Sequence, residues 1–224
     1  MRPLPTNLKV TVVLLLFDYD GVIVDSFDLF LELCERVRAE FGHARESTPH
    51  DLQTIENLTF TDMGRLLGVP ENKLGEYNDR LMAIQKAYWP VTFFPEMIDV
   101  LNELAKQHTV AVVTSSDSET VFASLRNVGL GDAITAVLGG DLGNSKAERI
   151  NMLRAKHGFE CHETVMTGDA ISDVRQGKLA GVVTVAVTWG YQNKTVLAKE
   201  NPDFILDRPE ELLRIPAKLI NSKG

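Results

Sequence analysis

The apolar residues of this chain gather into short runs separated by polar clusters. The strongest run is "KVTVVLLLF", residues 9–17, which is continuous rather than alternating and rich in β-branched side chains. A strand apolar at every position is one buried on both faces, as in a parallel sheet. Similar runs occupy residues 109–114, 133–139, 164–168 and 182–189, and "DFIL", residues 203–206, predicts a short last strand. Between them the spacing becomes helical. Pro95 opens one helix, with Met97, Ile98, Leu101, Leu104 and Ala105 on one face. Ser116 with Glu119 reads as a capping box ahead of Val121, Phe122, Leu125 and Val128, with Gly129 as the stop. Ser145 with Glu148 forms a second box ahead of Ile150 and Leu153, closed by Gly158. Asp169 predicts the cap of a fourth helix, which runs to Ala180 and ends at Gly181.

Strand and helix therefore alternate from about residue 94 onward, the pattern of a doubly wound α/β fold with a parallel sheet. Residues 27–88 break the alternation. "FDLFLELCERVRAEFG", "FTDMGRLLGV" and "LGEYNDRLMAIQKAYW" all carry helical spacing, and none looks like a buried strand. The expected organisation is an α/β core of residues 1–25 and 90–224, with a mostly helical cap of residues 26–89 inserted after the first strand. No internal repeat or low-complexity tract interrupts it.

In open α/β sheets, ligands bind beyond the carboxyl ends of the strands. The first run ends in Asp18 and Asp20, the second in Thr114, Ser115 and Ser116. Gly139, Gly140 and then Lys146 follow the third, and Gly168, Asp169 and Asp173 follow the fourth. Acids, hydroxyls, a lysine and glycines are the ingredients of a metal and phosphate site. Residues two apart in extended chain face the same side, so Asp18 and Asp20 are expected in one pocket, with Tyr19 turned away. Two carboxylates about 6 Å apart repel by roughly 3 kcal/mol at an effective dielectric of about 20. Asp169 adds to the conflict, and a hard divalent cation such as magnesium, which prefers oxygen ligands, resolves it. Lys146 falls at the first position of its helix, where a bare cation is unfavourable and a bound anion is welcome.

Composition narrows the partners. The formal net charge of −8 in 224 residues argues against a broad nucleic-acid or anionic-membrane surface. Cys34 and Cys161 are too few for a disulfide scaffold or a thiolate zinc site. The five histidines show no metal-ligand spacing, and His108 and His157 read as surface or helix-end residues. The first apolar run is too short to span a bilayer, and two aspartates follow it instead of a cleavage site. A soluble, cytoplasmic protein is expected, as monomer or homodimer. Phe27, Phe30, Phe41, Met63, Met82 and Trp89 are expected in a helical core, and Arg45, Arg65 and Arg80 on solvated surface.

The segments "DYDGVIVDS", "VVTSS", "SKAERI" and "TGDAISDVRQGKLAG" resemble, in order, the four motifs of the haloacid dehalogenase-like hydrolases. The likeness covers nearly the whole chain. "PEMIDVLNELAKQHTVAVVTSS" and "AGVVTVAVTWGY" are similar to the phosphoglycolate phosphatase and β-phosphoglucomutase-like branch, which carries a helical cap at the place inferred above. The resemblance implies Asp18 as nucleophile and magnesium ligand. It implies Asp20 as general acid/base, with its backbone carbonyl offered to the metal. Thr114 and the Ser115 backbone would hold the phosphoryl group, Lys146 would neutralise it, and Asp169 would ligate magnesium. Asp173 would be a further ligand or would orient Lys146 or a metal-bound water. Asp20 also favours phosphoester over carbon–halogen chemistry. One departure is Ala147, where many relatives have proline; the Ser145–Glu148 box takes over the helix start.

The implied activity is a magnesium-dependent phosphatase for a small phosphorylated metabolite, phosphoglycolate- or sugar-phosphate-like, acting through an aspartyl-phosphate. A phosphosugar mutase needs the same four motifs and remains an alternative. A silent binding protein on the same fold is disfavoured by the intact acids and lysine.

Overall fold

The computed structural model describes residues 12–41, 45–56, 58–87 and 90–221. Residues 9–11 of the first predicted strand, and Trp89, lie outside them. The described strands are β1 (Leu14–Phe17), β2 (Val24–Asp25), β3 (Thr92–Phe93), β4 (Thr109–Val113), β5 (Val137–Leu138), β6 (Thr164–Gly168), β7 (Val183–Val187) and β8 (Phe204–Leu206). Six of them form one sheet in the order β5-β4-β1-β6-β7-β8, with every pairing parallel. The chain winds outward from β1 to one edge, then returns beside β1 and winds to the other. A crevice opens at such a reversal.

The continuous apolar run of β1 now has its reason. Leu15 and Phe17 pack into the cluster on one face of the sheet, and Leu14 and Leu16 into the cluster on the other. Val110 and Val112 of β4 share the first face, Ala111 and Val113 the second. Fully burying each such Leu contributes roughly 1.5–3 kcal/mol.

Among the described residues, four α-helices lie between β2 and β3: α1 (Phe27–Arg38), α2 (Pro49–Thr54), α3 (Phe60–Leu67) and α4 (Leu74–Ala87). They surround their own apolar cluster, which includes Phe30, Leu33, Met63, Leu67, Tyr77 and Leu81. Entry to and exit from this insertion are tied together, because β2 pairs antiparallel with β3 through Val24–Phe93 and Asp25–Thr92. The remaining helices are α5 (Pro95–Ala105), α6 (Ser118–Asn127), α7 (Lys146–His157), α8 (Ile171–Leu179), α9 (Lys194–Leu197) and α10 (Ile215–Asn221).

Three local expectations change. The cap of α6 is Asp117, whose Oδ1 accepts from the Thr120 N–H at 3.0 Å, rather than Ser116. Asp169 does not cap α8; Ala170 holds that position and Asp169 is engaged elsewhere. The strand expected over residues 133–139 contracts to Val137–Leu138, because the N–H groups of Ala133 and Ile134 turn back to the Leu130 carbonyl. The Ser145–Glu148 box forms as expected: the Glu148 N–H donates to Ser145 Oγ at 3.2 Å, and the Ser145 N–H to Glu148 Oε2 at 2.7 Å. Among the described residues no helix is long and apolar enough to cross a membrane.

Candidate active site

Asp18 is the first residue beyond β1. Its N–H continues the ladder to the Thr167 carbonyl at 2.9 Å, so the end of β6 fixes its backbone. Tyr19 turns into the core and its hydroxyl donates to Ser124 Oγ at 2.7 Å. Asp18 and Asp20 both line one cavity of about 470 Å³ at the carboxyl ends of the strands. Gly21 makes the turn with a left-handed φ of +74°. A Cβ there would lie 2.0 Å from Asp169 Oδ2, and one on Gly190 would lie 2.4 Å from the same oxygen. Glycine is therefore required on both sides of the Asp169 carboxylate.

Lys146, the first residue of α7, is buried between two acids. Its Nζ donates to Asp18 Oδ2 at 2.7 Å and to Asp173 Oδ1 at 2.5 Å. Burial alone would lower the Lys146 pKa, but Asp173 and Asp18 outweigh it and hold the ammonium firmly charged. Asp169 is buried, and Tyr191 N–H donates to its Oδ2 at 2.7 Å. Burial first, then the charges of Asp173 and Asp18, push the Asp169 carboxyl well above the usual carboxylate range. Burial likewise raises Asp173, although Lys146 opposes it.

One lysine cannot neutralise three carboxylates. Asp18, Asp169 and Asp173 each place an oxygen within 4.8 Å of the others. That oxygen-only donor set, with Asp169 and Asp173 both pushed toward protonation, fits a hard divalent cation. The resemblance gave Asp20 to the metal through its backbone carbonyl and Asp173 as a further ligand or an orienting residue; the carboxylate cluster holds Asp173. The carboxylate of Asp20 is not in the cluster; both its oxygens accept from hydroxyls, Ser26 Oγ at 2.7 Å and Ser116 Oγ at 2.6 Å.

Thr114 follows β4 and is buried, its Oγ1 accepting from the Ser116 N–H at 3.1 Å. Thr114, Ser115 and Lys146 line the cavity with the acids, so all seven candidate residues meet in one place. Arg149, one turn beyond Lys146 on α7, was not singled out from the sequence. Its guanidinium donates to the carbonyls of Thr114 and Leu138, which pins the ends of β4 and β5.

Ser116, expected among the strand-end hydroxyls, holds Asp20; Ser26, Tyr191 and Gln85 complete surroundings that sequence reasoning missed. Tyr191 OH lies 2.8 Å from Ser26 Oγ, and Gln85 Nε2 donates to Ser116 Oγ at 3.1 Å. Only Gln85 left a local signal. The buried stripe of α4 runs Leu74, Tyr77, Leu81, Gln85, and an amide at the end of an apolar stripe calls for a partner.

The insertion roofs the cavity with Phe30, Leu58, Phe60, Asn78, Met82 and Gln85 among others. Phe30 and Met82, expected in core, thus also face the pocket. Arg45, Arg65 and Arg80 do not line it; they pair with Asp51, with Asp62 and Glu71, and with Glu40.

A family profile described as haloacid dehalogenase-like hydrolase matches residues 15–187. A phosphoglycolate phosphatase of Synechococcus elongatus is 26% identical over 217 residues, spanning 92% of this chain and 98% of its own. A pyrophosphatase PpaX of Bacillus pumilus is also 26% identical, over 92% of this chain and 96% of its own. The solved structure of a haloacid dehalogenase-like family hydrolase from Streptococcus pneumoniae superposes with a TM-score of 0.79 at 20% identity, covering 91% of this chain and 98% of that one. At that identity the likeness speaks for the fold.

Proposed function

Because the chain belongs to the haloacid dehalogenase-like hydrolase family, we propose that it is a magnesium-dependent phosphatase acting on a small phosphorylated metabolite. One observation carries the reading. Asp18 belongs to a metal-capable acid cluster, against a charged lysine, two residues from an acid held by hydroxyls.

In this reading Asp18, Asp169 and Asp173 hold magnesium, with the Asp20 carbonyl as a further ligand. The ion neutralises phosphoryl charge when bound. Thr114, the Ser115 backbone and Lys146 hold the phosphoryl oxygens. An Asp18 carboxylate oxygen attacks phosphorus, the bond to the leaving oxygen breaks, and Asp20 gives that oxygen its proton. Water then attacks phosphorus, Asp20 takes its proton, the bond to Asp18 breaks, and phosphate leaves. Residues 26–89 act as a cap domain over a core of residues 1–25 and 90–224, excluding bulk water and selecting the leaving group. The cavity volume suits a small metabolite. The relatives' names offer both a phosphoester and a phosphoanhydride as substrate classes.

Phosphate release from phosphoglycolate, hexose phosphates and pyrophosphate, with and without magnesium, tests the reading. Release that requires magnesium is expected. Release indifferent to chelation, or conversion between hexose phosphates without net release, would count against it.

A further inference from the structure

Asp20 is held from both ends of the helical insertion. Ser26 follows β2 and stands at the N-cap position of α1 with its side chain turned to Asp20 instead of the helix; Gln85 sits in the last turn of α4. Each supplies one arm. On the first arm Ser26 donates its single hydroxyl proton to Asp20 Oδ1, so Tyr191 OH must be the donor to Ser26 Oγ. On the second, Ser116 donates to Asp20 Oδ2 and Gln85 Nε2 donates to Ser116 Oγ. This order also fixes the Gln85 amide: a flipped carbonyl would face a hydroxyl whose proton is already committed to a carboxylate.

Gln85 is 2% exposed, and its Oε1 is buried without a hydrogen-bond partner among the described residues. An unmet buried acceptor lowers stability. The amide is thus a poor choice for holding α4 and an apt one for holding Ser116.

We infer that Gln85 is a positioning residue: through Ser116 it makes the aim of the Asp20 carboxyl depend on how the insertion sits over the core. The inference rests on the proposed role of Asp20 as acid and base. When α4 withdraws, Ser116 loses the donor that directs its hydroxyl, and Asp20 loses the support of Ser116. Proton delivery then requires a closed insertion, which restrains premature loss of phosphate to water.

Leaving-group dependence provides the test. An alkyl phosphate needs a proton on its departing oxygen; p-nitrophenyl phosphate departs without one. Gln85→Met is expected to lower kcat/KM for glycerol phosphate at least tenfold and for p-nitrophenyl phosphate at most threefold. Its melting temperature should match or exceed that of the unaltered protein. Ser116→Ala should give the same selective loss, and the double variant no more than either alone. Equal losses on both esters, or none on the alkyl ester, would overturn the inference. Should the unaltered protein release phosphate from none of phosphoglycolate, hexose phosphates, pyrophosphate and these two esters, the phosphatase reading fails by itself. A crystal structure of the Gln85→Met variant still decides the relay: a retained contact between Ser116 Oγ and Asp20 Oδ2 overturns it, and separation beyond hydrogen-bond distance supports it.

Discussion

Asp169 bears the heaviest electrostatic load in the cavity. It is buried, faces the charges of Asp173 and Asp18, and is held between two glycines that leave no room to turn away. Its folded-state pKa lies above its unfolded one, so the folded chain binds that proton more tightly. The ionised side chain therefore subtracts stability at neutral pH unless a cation joins it, and that deficit fades as pH falls through the raised value. Asp169→Asn is expected to unfold at the same or a higher denaturant concentration without magnesium. The unaltered protein should gain about 2.7 kcal/mol at magnesium a hundred times its dissociation constant. The asparagine variant should lose most of that gain, as read by denaturant melts with and without magnesium. A full gain in the variant would remove Asp169 from the ligand set. Asp18, Lys146 and Asp169 were legible as neighbours of the strand and helix ends that the apolar pattern marks, and Asp20 and Asp173 by their short spacing from those ends. Tyr191 was not, since its role exists only through Ser26, 165 residues away; Ser26 reaches Asp20, six residues before it, only once the chain has folded.

At the scale of elements, backbone caps divide into those that local sequence determines and those a distant residue overrides. The Ser145–Glu148 box is entirely local and forms as read. Ser116 has the same sequence signature, but its hydroxyl is committed to Asp20 and the cap moves to Asp117. β1 and β4 were legible because their two faces meet two separate apolar clusters, and β5 shortened because a turn at Leu130 consumed its first residues. A cap with no such rival is that of α2, where Asp51 accepts two bonds from the Arg45 guanidinium and two from Thr48. The Arg45 hydrogen bond, with help from Thr48, draws the buried Asp51 carboxyl down to about 2. A depressed pKa contributes stability that is complete above the unfolded value near 3.8 and is lost as pH falls toward about 2. Asp51→Asn should therefore destabilise the insertion by about 2 kcal/mol at neutral pH. The gap should close between about pH 4 and 2, as followed by denaturant unfolding across pH. A gap that persists at pH 2 would assign the loss to packing.

Across the whole molecule, apolar clusters on the two faces of the sheet and another within the insertion leave a cavity between them that is polar at the strand ends and apolar under the insertion. Periodicity showed the sheet and the helical character of the insertion. It did not show how the insertion lies over the strand ends, because that depends on contacts such as Gln192 Nε2 to the Ile55 carbonyl at 2.7 Å and the Phe27–Tyr191 ring pair. The cavity combines a nucleophile, a charged lysine, an oxygen-only cation cluster and a proton carrier. Such a set divides phosphoryl transfer into two steps joined by a covalent intermediate. Acid-quenching the protein within one turnover of a magnesium-supported phosphoester, then mapping its peptides by mass spectrometry, observes that intermediate directly. The account predicts a phosphoryl adduct on the peptide that carries Asp18, lost in Asp18→Asn together with turnover. Full turnover in Asp18→Asn, or an adduct on any other residue, would contradict it.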